Sequence, residues 1–488
     1  MVSDSHCRLT RVPGEGAGGF SRVEPIRPVS RWAWAARAMI ADMKRQCHTE
    51  RAASMCFRRF SLCSTAIILG LYPLTVSANG YQNLHQSAQG LGTAYAANGT
   101  SIDDISAIYS NPASLTRFPG THGSFGLTYI MPRDTFENLS ATALGGAPVT
   151  DGSPAVPSQF LDNTVSGYWY LGRQLSDQLY FGLSFNAPWA TESDYTDTAA
   201  SRYTATTTAL TAYNLSPMLA YKVNDRLSVA AALNIQYYTS EFATNLALNP
   251  AAPSADTDAS ADFEGNDLAF GVTLGVEYQA NDQWRYGLSY RSKIDHGFDG
   301  DVVLSGPDAT MGALALAGIS AEGSARYDIA TPWMLQLGTH GQLTDKLEVY
   351  GSATLTGWSA FKDTVIETSN IGTLRVRNGW DDAWYIAVGM GYQVTPETKI
   401  FGGIAYDETP TPTEVRNPRA PNADRYYVAL GVAHEFRPGR TIKLGWSHTF
   451  FDDAPIRLTD ENNPGRGTLN GDIKIDADII MAQYIHEF

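Results

Sequence analysis

Apolar and polar residues alternate with a period of two from Thr121 to the end of the chain. The stretch from Lys346 to Trp358 illustrates this, because apolar or small side chains occupy every second position: Leu347, Val349, Gly351, Ala353 and Leu355. Such alternation places one set of side chains on each face of a β-strand. A tilted strand needs about 9–11 residues to cross a bilayer, which matches most of these segments. The pattern therefore predicts an all-β protein.

Fourteen alternating segments can be delimited, and every second connection between them is short. They cover about residues 121–132, 164–174, 179–188, 206–222, 226–240, 264–280, 284–296, 324–340, 345–360, 372–394, 398–408, 425–436, 440–451 and 473–488. Turn-forming residues fill the short connections, as in Val223-Asn224-Asp225 and Arg437-Pro438-Gly439. Short turns on one side and long loops on the other are typical of outer-membrane proteins. We expect residues 121–488 to form a transmembrane antiparallel β-barrel of about 14 strands; the alternative is a soluble β protein.

The chain before the barrel divides into two parts. Arg58-Arg59, the apolar run from Ala66 to Val76 and the small residues ending at Ala78 resemble a signal peptide, so residues 55–78 are assigned to one. Residues 1–54 are Arg-rich and irregular, and we interpret them as a non-native extension from a mis-assigned start codon. All four cysteines lie before residue 64, which excludes a disulfide framework and a thiolate metal site in the remainder.

The net charge of the chain after Ala78 restricts the classes of partner that are expected. Because 11 of the 35 basic and 5 of the 50 acidic residues precede Asn79, the remaining chain has a formal net charge of −21. Nucleic-acid binding requires basic patches, so no nucleic-acid partner is expected. The apolar runs after Ala78 are too short for a membrane-spanning helix.

The stretch from Gly90 to Ala113 has a different composition from the strands. Small residues including Gly90 and Gly92 come first, the acidic pair Asp103-Asp104 follows, and Asn111-Pro112-Ala113 ends the stretch. Small residues allow close backbone packing, and an Asn-Pro step indicates a turn. From the residues alone, this is a short helix between two turns.

This string resembles the N-terminal hatch of the FadL/TodX family of outer-membrane transporters for long-chain fatty acids and hydrocarbons. The segments Ala383–Gly389, Gly402–Pro410 and Asp424–Tyr427 are similar to late strands of that family. The resemblance implies that residues 79–120 form a hatch that plugs the barrel lumen, with Asp103-Asp104 anchored to Arg or Lys of the wall. It also implies a passive transporter in the Gram-negative outer membrane and not an enzyme.

Partners follow from the same resemblance. We expect a hydrophobic small molecule as cargo, membrane lipid and lipopolysaccharide around a monomeric barrel, and no cofactor. The terminal Phe488 on an alternating last strand resembles the signal recognised by the barrel assembly machinery.

The third strand carries a candidate side exit. It runs into Asn186-Ala187-Pro188, and proline cannot donate to a β-ladder. If Gly182 and residues 186–188 bend the strand inward, a lateral opening to the bilayer forms, as the family resemblance also implies. The alternative is a simple strand end.

A candidate binding groove lies in the long loop after the seventh segment. Met311, Leu314, Leu316 and Ile319 are apolar residues in a loop expected to face outward. They could form an apolar docking groove for the cargo, or a loop helix that packs on its own neighbours.

The chemistry of the cargo stays open at this level. A fatty acid needs a cation for its carboxylate, and Arg285, Arg291 and Lys293 are candidates. An aromatic hydrocarbon of the kind carried within the same family needs none. A lipase-like outer-membrane enzyme would need a nucleophile–histidine set, which the sequence does not reveal. The acidic run from Asp256 to Asp267 fails the EF-hand spacing, so no metal site is assigned.

Overall fold

The computed structural model describes residues 80–149 and 159–488. The predicted extension (1–54) and signal peptide (55–78) lie outside the described residues. Of the chain that is described, no helix is both long and apolar enough to cross a membrane.

Fourteen antiparallel strands form a closed ring. With all nineteen strands numbered in chain order, the ring contains β1 (Thr121–Thr142), β2 (Thr164–Gln174), β3 (Leu179–Asp194), β4 (Thr207–Lys222), β5 (Leu227–Leu246), β6 (Ala259–Gln279), β7 (Trp284–Arg291), β10 (Met334–Gln342), β11 (Leu347–Thr356), β14 (Ala383–Thr395), β15 (Thr398–Asp407), β16 (Arg425–Arg437), β17 (Arg440–Phe451) and β19 (Thr468–Glu487). Pairing of β1 with β19, from His122 opposite Glu487 to Thr142 opposite Thr468, closes the ring. The predicted fourteen-stranded barrel is confirmed.

The barrel wall is apolar outside and polar inside. On β17, Ile442, Leu444 and Trp446 are exposed, whereas Lys443 and Ser447 are buried. The other strands repeat this arrangement, so that nearly every strand of the ring carries large exposed apolar residues. This is the reverse of a soluble β protein and gives a surface suited to lipid.

Three predicted strands are wrong in extent, because each consists of two strands. Segment 284–296 breaks between β7 and β8 (Ile294–Ser305), 324–340 between β9 (Glu322–Thr331) and β10, and 372–394 between β13 (Thr373–Val376) and β14. The second break contains Pro332, which lacks the N–H that a ladder requires. The first break arises because β6 is longer than β7. Residues 273–279 of β6 pair with β7, whereas residues 260–266 pair with β8.

The additional strands build an outer extension on the long-loop side. Strand β8 pairs with β9, which pairs in turn with β12 (Thr364–Thr368), and β12 pairs with β13. Strand β18 (Ala454–Leu458) extends β19 in the same way. A helix, α2 (Asp308–Leu316), connects β8 to β9, and a short 3₁₀ turn (Trp358–Ala360) follows β11. The predicted tight turns Val223-Asn224-Asp225 and Arg437-Pro438-Gly439 connect β4 to β5 and β16 to β17.

The lumenal segment, residues 80–120, lies inside the ring. It contains α1 (Ala88–Gly92) and two 3₁₀ helices, Ile105–Tyr109 and Pro112–Arg117. Helix α1 contacts β15, β16, β17 and β19, whereas the second 3₁₀ helix contacts β3 to β6 on the other side. Nearly all of its residues are buried, so the lumen is filled at this level.

Candidate functional site

Asn111 fixes the turn at the centre of the lumenal segment. Its Oδ1 accepts the N–H of Ala113 at 3.0 Å and so caps the 3₁₀ helix, with Pro112 at the first helical position. Its Nδ2 donates to the carbonyl oxygens of Gly99, at 2.9 Å, and of Val276 on β6, at 3.0 Å. One amide therefore connects two parts of the lumenal segment to the wall.

Wall glycines allow this segment to approach the strands backbone to backbone. A Cβ added at Gly403 would lie 2.0 Å from the carbonyl oxygen of Thr93, and one at Gly445 would lie 2.4 Å from that of Ala88. Gly92, one of the predicted hatch residues, is also closely packed, since a Cβ there would lie 2.5 Å from the Phe401 ring. A Cβ at Gly90 would meet Asn98 Oδ1 at 3.1 Å. Small residues on both sides make the close fit possible.

The predicted acidic pair lies against two wall lysines. Asp104 Oδ2 accepts from Lys443 Nζ at 2.6 Å, and Asp103 is paired with both Lys443 and Lys399, the latter at 2.9 Å. Lys399 also pairs with Glu348 at 2.8 Å. Partial burial acts to raise the pKa of Asp103, but the charges of Lys399 and Lys443 outweigh it and lower that pKa well below its usual range. The cluster joins the lumenal segment to β11, β15 and β17.

A second buried charge cluster was not predicted from the sequence. Glu277 on β6 accepts from Ser114 at 2.6 Å and from Thr100 at 2.9 Å, and pairs with Arg117 at 3.1 Å. Arg285, a predicted cation for cargo, instead donates to the carbonyl oxygen of Thr100. Arg285 therefore holds the lumenal segment in place.

The other two predicted cations also have polar partners. Arg291 donates to the carbonyl of Tyr109 and borders a small space lined mostly by polar residues. Lys293 is half-exposed and pairs with Asp295 at 2.8 Å.

Strand β3 leaves the regular ladder at Ala187 and Pro188. On one side, pairing with β2 ends at Phe185, although β2 continues. On the other side, the register with β4 shifts between Asn186 and Trp189, which makes a β-bulge. Every residue from Asn186 to Thr191 is buried, so the in–out alternation is lost over this stretch.

The start of the lumenal segment takes the place of the missing partner strand. Asn83 N–H donates to the carbonyl of Pro188 at 2.7 Å, and its Nδ2 donates to that of Ala187 at 2.9 Å. Ala190 N–H donates to the carbonyl of Tyr81 at 2.8 Å. Gly182, by contrast, remains in the regular ladder, where a Cβ would meet Met218 at 2.8 Å and Leu115 at 3.1 Å.

An apolar cavity lies next to this junction. Most of its wall is aromatic or aliphatic, including Tyr81, Phe242, Phe361, Leu374 and Trp380. Tyr81 links the two features, because its ring lines the cavity while its backbone bonds to β3.

Two arginines are the cationic part of this cavity wall. Arg419 donates to the carbonyls of Thr204, Thr207 and Ala243 and to the Thr208 hydroxyl, at 2.8 to 3.1 Å. Within residues 80–149 and 159–488, neither Arg419 nor Arg466 has a carboxylate partner, and Arg419 Nε has no acceptor. Burial, followed by the charge of Arg466, lowers the pKa of Arg419 to about 9, and burial lowers that of Arg466 to about 10.

Sequence reasoning missed both arginines. Arg419 follows Asn417-Pro418 in the loop after β15, and Arg466 lies between two glycines before β19. Nothing in either local sequence distinguishes these residues from solvated loop cations.

The predicted groove residues do not form one surface. Leu314 is buried, and Met311 and Ile319 pack against the same interior cluster. Leu316 is 92% exposed. The cavity lining contains none of the four.

Comparisons with known proteins agree with this architecture. Residues 71–488 match the family described as outer membrane protein transport protein (OMPP1/FadL/TodX). The long-chain fatty acid transport protein of Escherichia coli K12 is 26% identical over 429 residues, covering 80% of this chain and 92% of that protein. Outer membrane protein P1 of Haemophilus influenzae is 26% identical over 426 residues, covering 80% and 89%.

Solved structures share the fold. A FadL homologue of Pseudomonas aeruginosa superimposes with a TM-score of 0.77 at 24% identity, covering 84% of this chain and all of that one. The toluene transporter TodX of P. putida gives a TM-score of 0.59 at 17% identity, covering 83% and 99%. This protein is therefore a member of the OMPP1/FadL/TodX family: an outer-membrane β-barrel that transports hydrophobic compounds and is not an enzyme.

Proposed function

We propose that this protein transports long-chain fatty acids across the outer membrane. The observation that carries the proposal is the apolar cavity with Arg419 and Arg466 in its wall. A buried cation without an anion is costly, and a carboxylate entering the cavity offsets that cost. An aromatic hydrocarbon fits the apolar wall but leaves the charges uncompensated. Relatives named for fatty-acid transport support this choice.

The lumenal segment acts as the hatch in this proposal. It fills the lumen, and its two charge clusters hold it to the wall, so a straight aqueous path is closed. Displacement of residues 81–83 would connect the cavity to the bulge at Ala187 and Pro188. Cargo then leaves sideways into the bilayer, where its chain stays in an apolar environment.

Binding measurements with matched ligands test the cargo. Purified protein is titrated with oleate, with oleyl alcohol, which has the same chain without the carboxylate, and with toluene. The Arg419→Gln/Arg466→Gln double variant should bind oleate at least about tenfold more weakly, because charge-assisted hydrogen bonds are lost. Its affinity for oleyl alcohol should change little. Arg375→Gln, at an exposed arginine on β13, is the matched control.

Two results contradict the proposal. An equal loss of oleate and oleyl alcohol would mean that the arginines support the cavity without recognising the carboxylate. Uptake of toluene but not of oleate by cells producing the protein would identify a hydrocarbon channel instead.

A further inference from the structure

The loop between β3 and β4 folds back into the barrel mouth. Residues 201–206 are all buried, which is unusual for a loop on the long-loop side of a barrel. The Arg202 side chain is fully buried and donates from Nε to Asp258 at 2.8 Å. Tyr203 also donates to Asp258, at 2.8 Å. We call residues 199–206 the mouth loop.

The mouth loop is tied directly to the cavity arginine. Arg419 Nη2 donates to the carbonyl of Thr204 at 2.8 Å and to that of Ala243 at 3.1 Å. A guanidinium has five N–H donors; four are used here, and the one on Nε has no acceptor among the described residues. A carboxylate that binds Nε and Nη2 together must therefore displace Thr204 or Ala243.

We propose that the mouth loop is a lid and that Arg419 is its latch, released when a carboxylate takes the place of the Thr204 carbonyl. The mouth loop is also held by the Arg202–Asp258 pair, by Thr244 and Asn245, which donate to the carbonyl of Arg202, and by Asn463, which donates to the Thr204 hydroxyl. Cargo without a carboxylate fills the cavity but leaves the latch closed. This inference rests on the proposed binding of fatty acids at Arg419 and adds a ligand-controlled opening to it.

Thiol labelling measures the opening directly. The cysteines of the chain all precede residue 64, and the Ser201 side chain is fully buried, so Ser201→Cys reports lid opening to a maleimide. Ser305→Cys, at an exposed serine of β8, is the control for reagent access, and the parent protein gives the background. The labelling rate is measured without ligand, with oleate and with oleyl alcohol.

Oleate should raise the rate at position 201 at least about tenfold, since a charge-assisted hydrogen bond to the lid is exchanged. Oleyl alcohol should leave it unchanged. If oleate binds but the rate stays the same, or if both ligands raise it equally, the latch is refuted while fatty-acid binding stands.

A second variant tests the lid without ligand. Asp258→Asn weakens the attachment of Arg202 and should raise labelling at position 201, whereas Asp256→Asn, at an exposed aspartate of the same loop, should not. Slow labelling in the Asp258→Asn protein would overturn the lid. The Asp258→Asn experiment needs no ligand, so it tests the lid even if oleate fails to bind. Failure of oleate to bind would count against the proposed function alone. Migration of the unheated protein in a denaturing gel confirms that each variant is folded.

Discussion

Lys443 of β17 donates to Asp104 of the lumenal segment at 2.6 Å across 339 positions of sequence, and both side chains are buried. The ammonium lies between the two carboxylates, Asp103 and Asp104, and also donates to Gln89 at 2.6 Å. Its charge thus balances acidic groups that would otherwise repel each other in the barrel interior.

Replacing this lysine should loosen the lumenal segment. In Lys443→Met, the buried carboxylate of Asp104 and the partly exposed one of Asp103 lose a partner, and the segment should be destabilised by about 3–5 kcal/mol relative to the wall. Lys474→Met, at a half-exposed lysine of β19, is the matched control and should have little effect.

Sensitivity of cells to a large polar antibiotic measures the result, because a loosened segment opens the lumen. A lower thermal midpoint of the purified protein is expected as well. Wild-type antibiotic exclusion together with a wild-type midpoint would show that the pair does not hold the segment.

The close backbone contact at Gly403 gives a steric prediction. Gly403→Ala places a methyl group 2.0 Å from the carbonyl oxygen of Thr93, and neither backbone can move easily. Stability should fall by about 1–3 kcal/mol, as in other overpacked interiors. Gly312→Ala in α2 meets no atom within 4 Å and should be neutral or slightly stabilising. Chemical denaturation of the two variants in parallel checks this; equal stability would contradict the tight fit.

The strands were predictable because successive wall residues face lipid and lumen in turn, which gives the sequence an apolar–polar period of two. Strand breaks were not predictable to the same degree. The alternation continues through Lys293 and across Pro332 because β8 and β9 of the outer extension also have one buried and one exposed face.

The candidate site was only partly predictable. Asn111 and the acidic pair could be found because their motif is local. The cavity is assembled from loops far apart in sequence, and Arg419 bonds to Thr204 across 215 positions. Gly182 was placed with the bulge because it shares a strand with Pro188, but its neighbours show that it packs against the lumenal segment.

The last prediction concerns the junction between β3 and the lumenal segment, where the proposed side exit would open. Asn83 donates two hydrogen bonds to the carbonyls of Ala187 and Pro188, and Gln86 donates a third to Ala187 at 3.1 Å. If residues 81–83 must leave β3 to open the side exit, removing side-chain bonds favours the open state. Asn83→Ala removes the Nδ2 bond to Ala187 but keeps the backbone bond to Pro188, so it should raise the initial rate of oleate uptake severalfold, since one net hydrogen bond contributes about 1 kcal/mol. Ser101→Ala, which removes one side-chain bond from the same segment to the carbonyl of Thr339 on β10, serves as the control. Slower uptake by a folded Asn83→Ala protein with normal oleate affinity would mean that this contact guides the cargo and does not gate it.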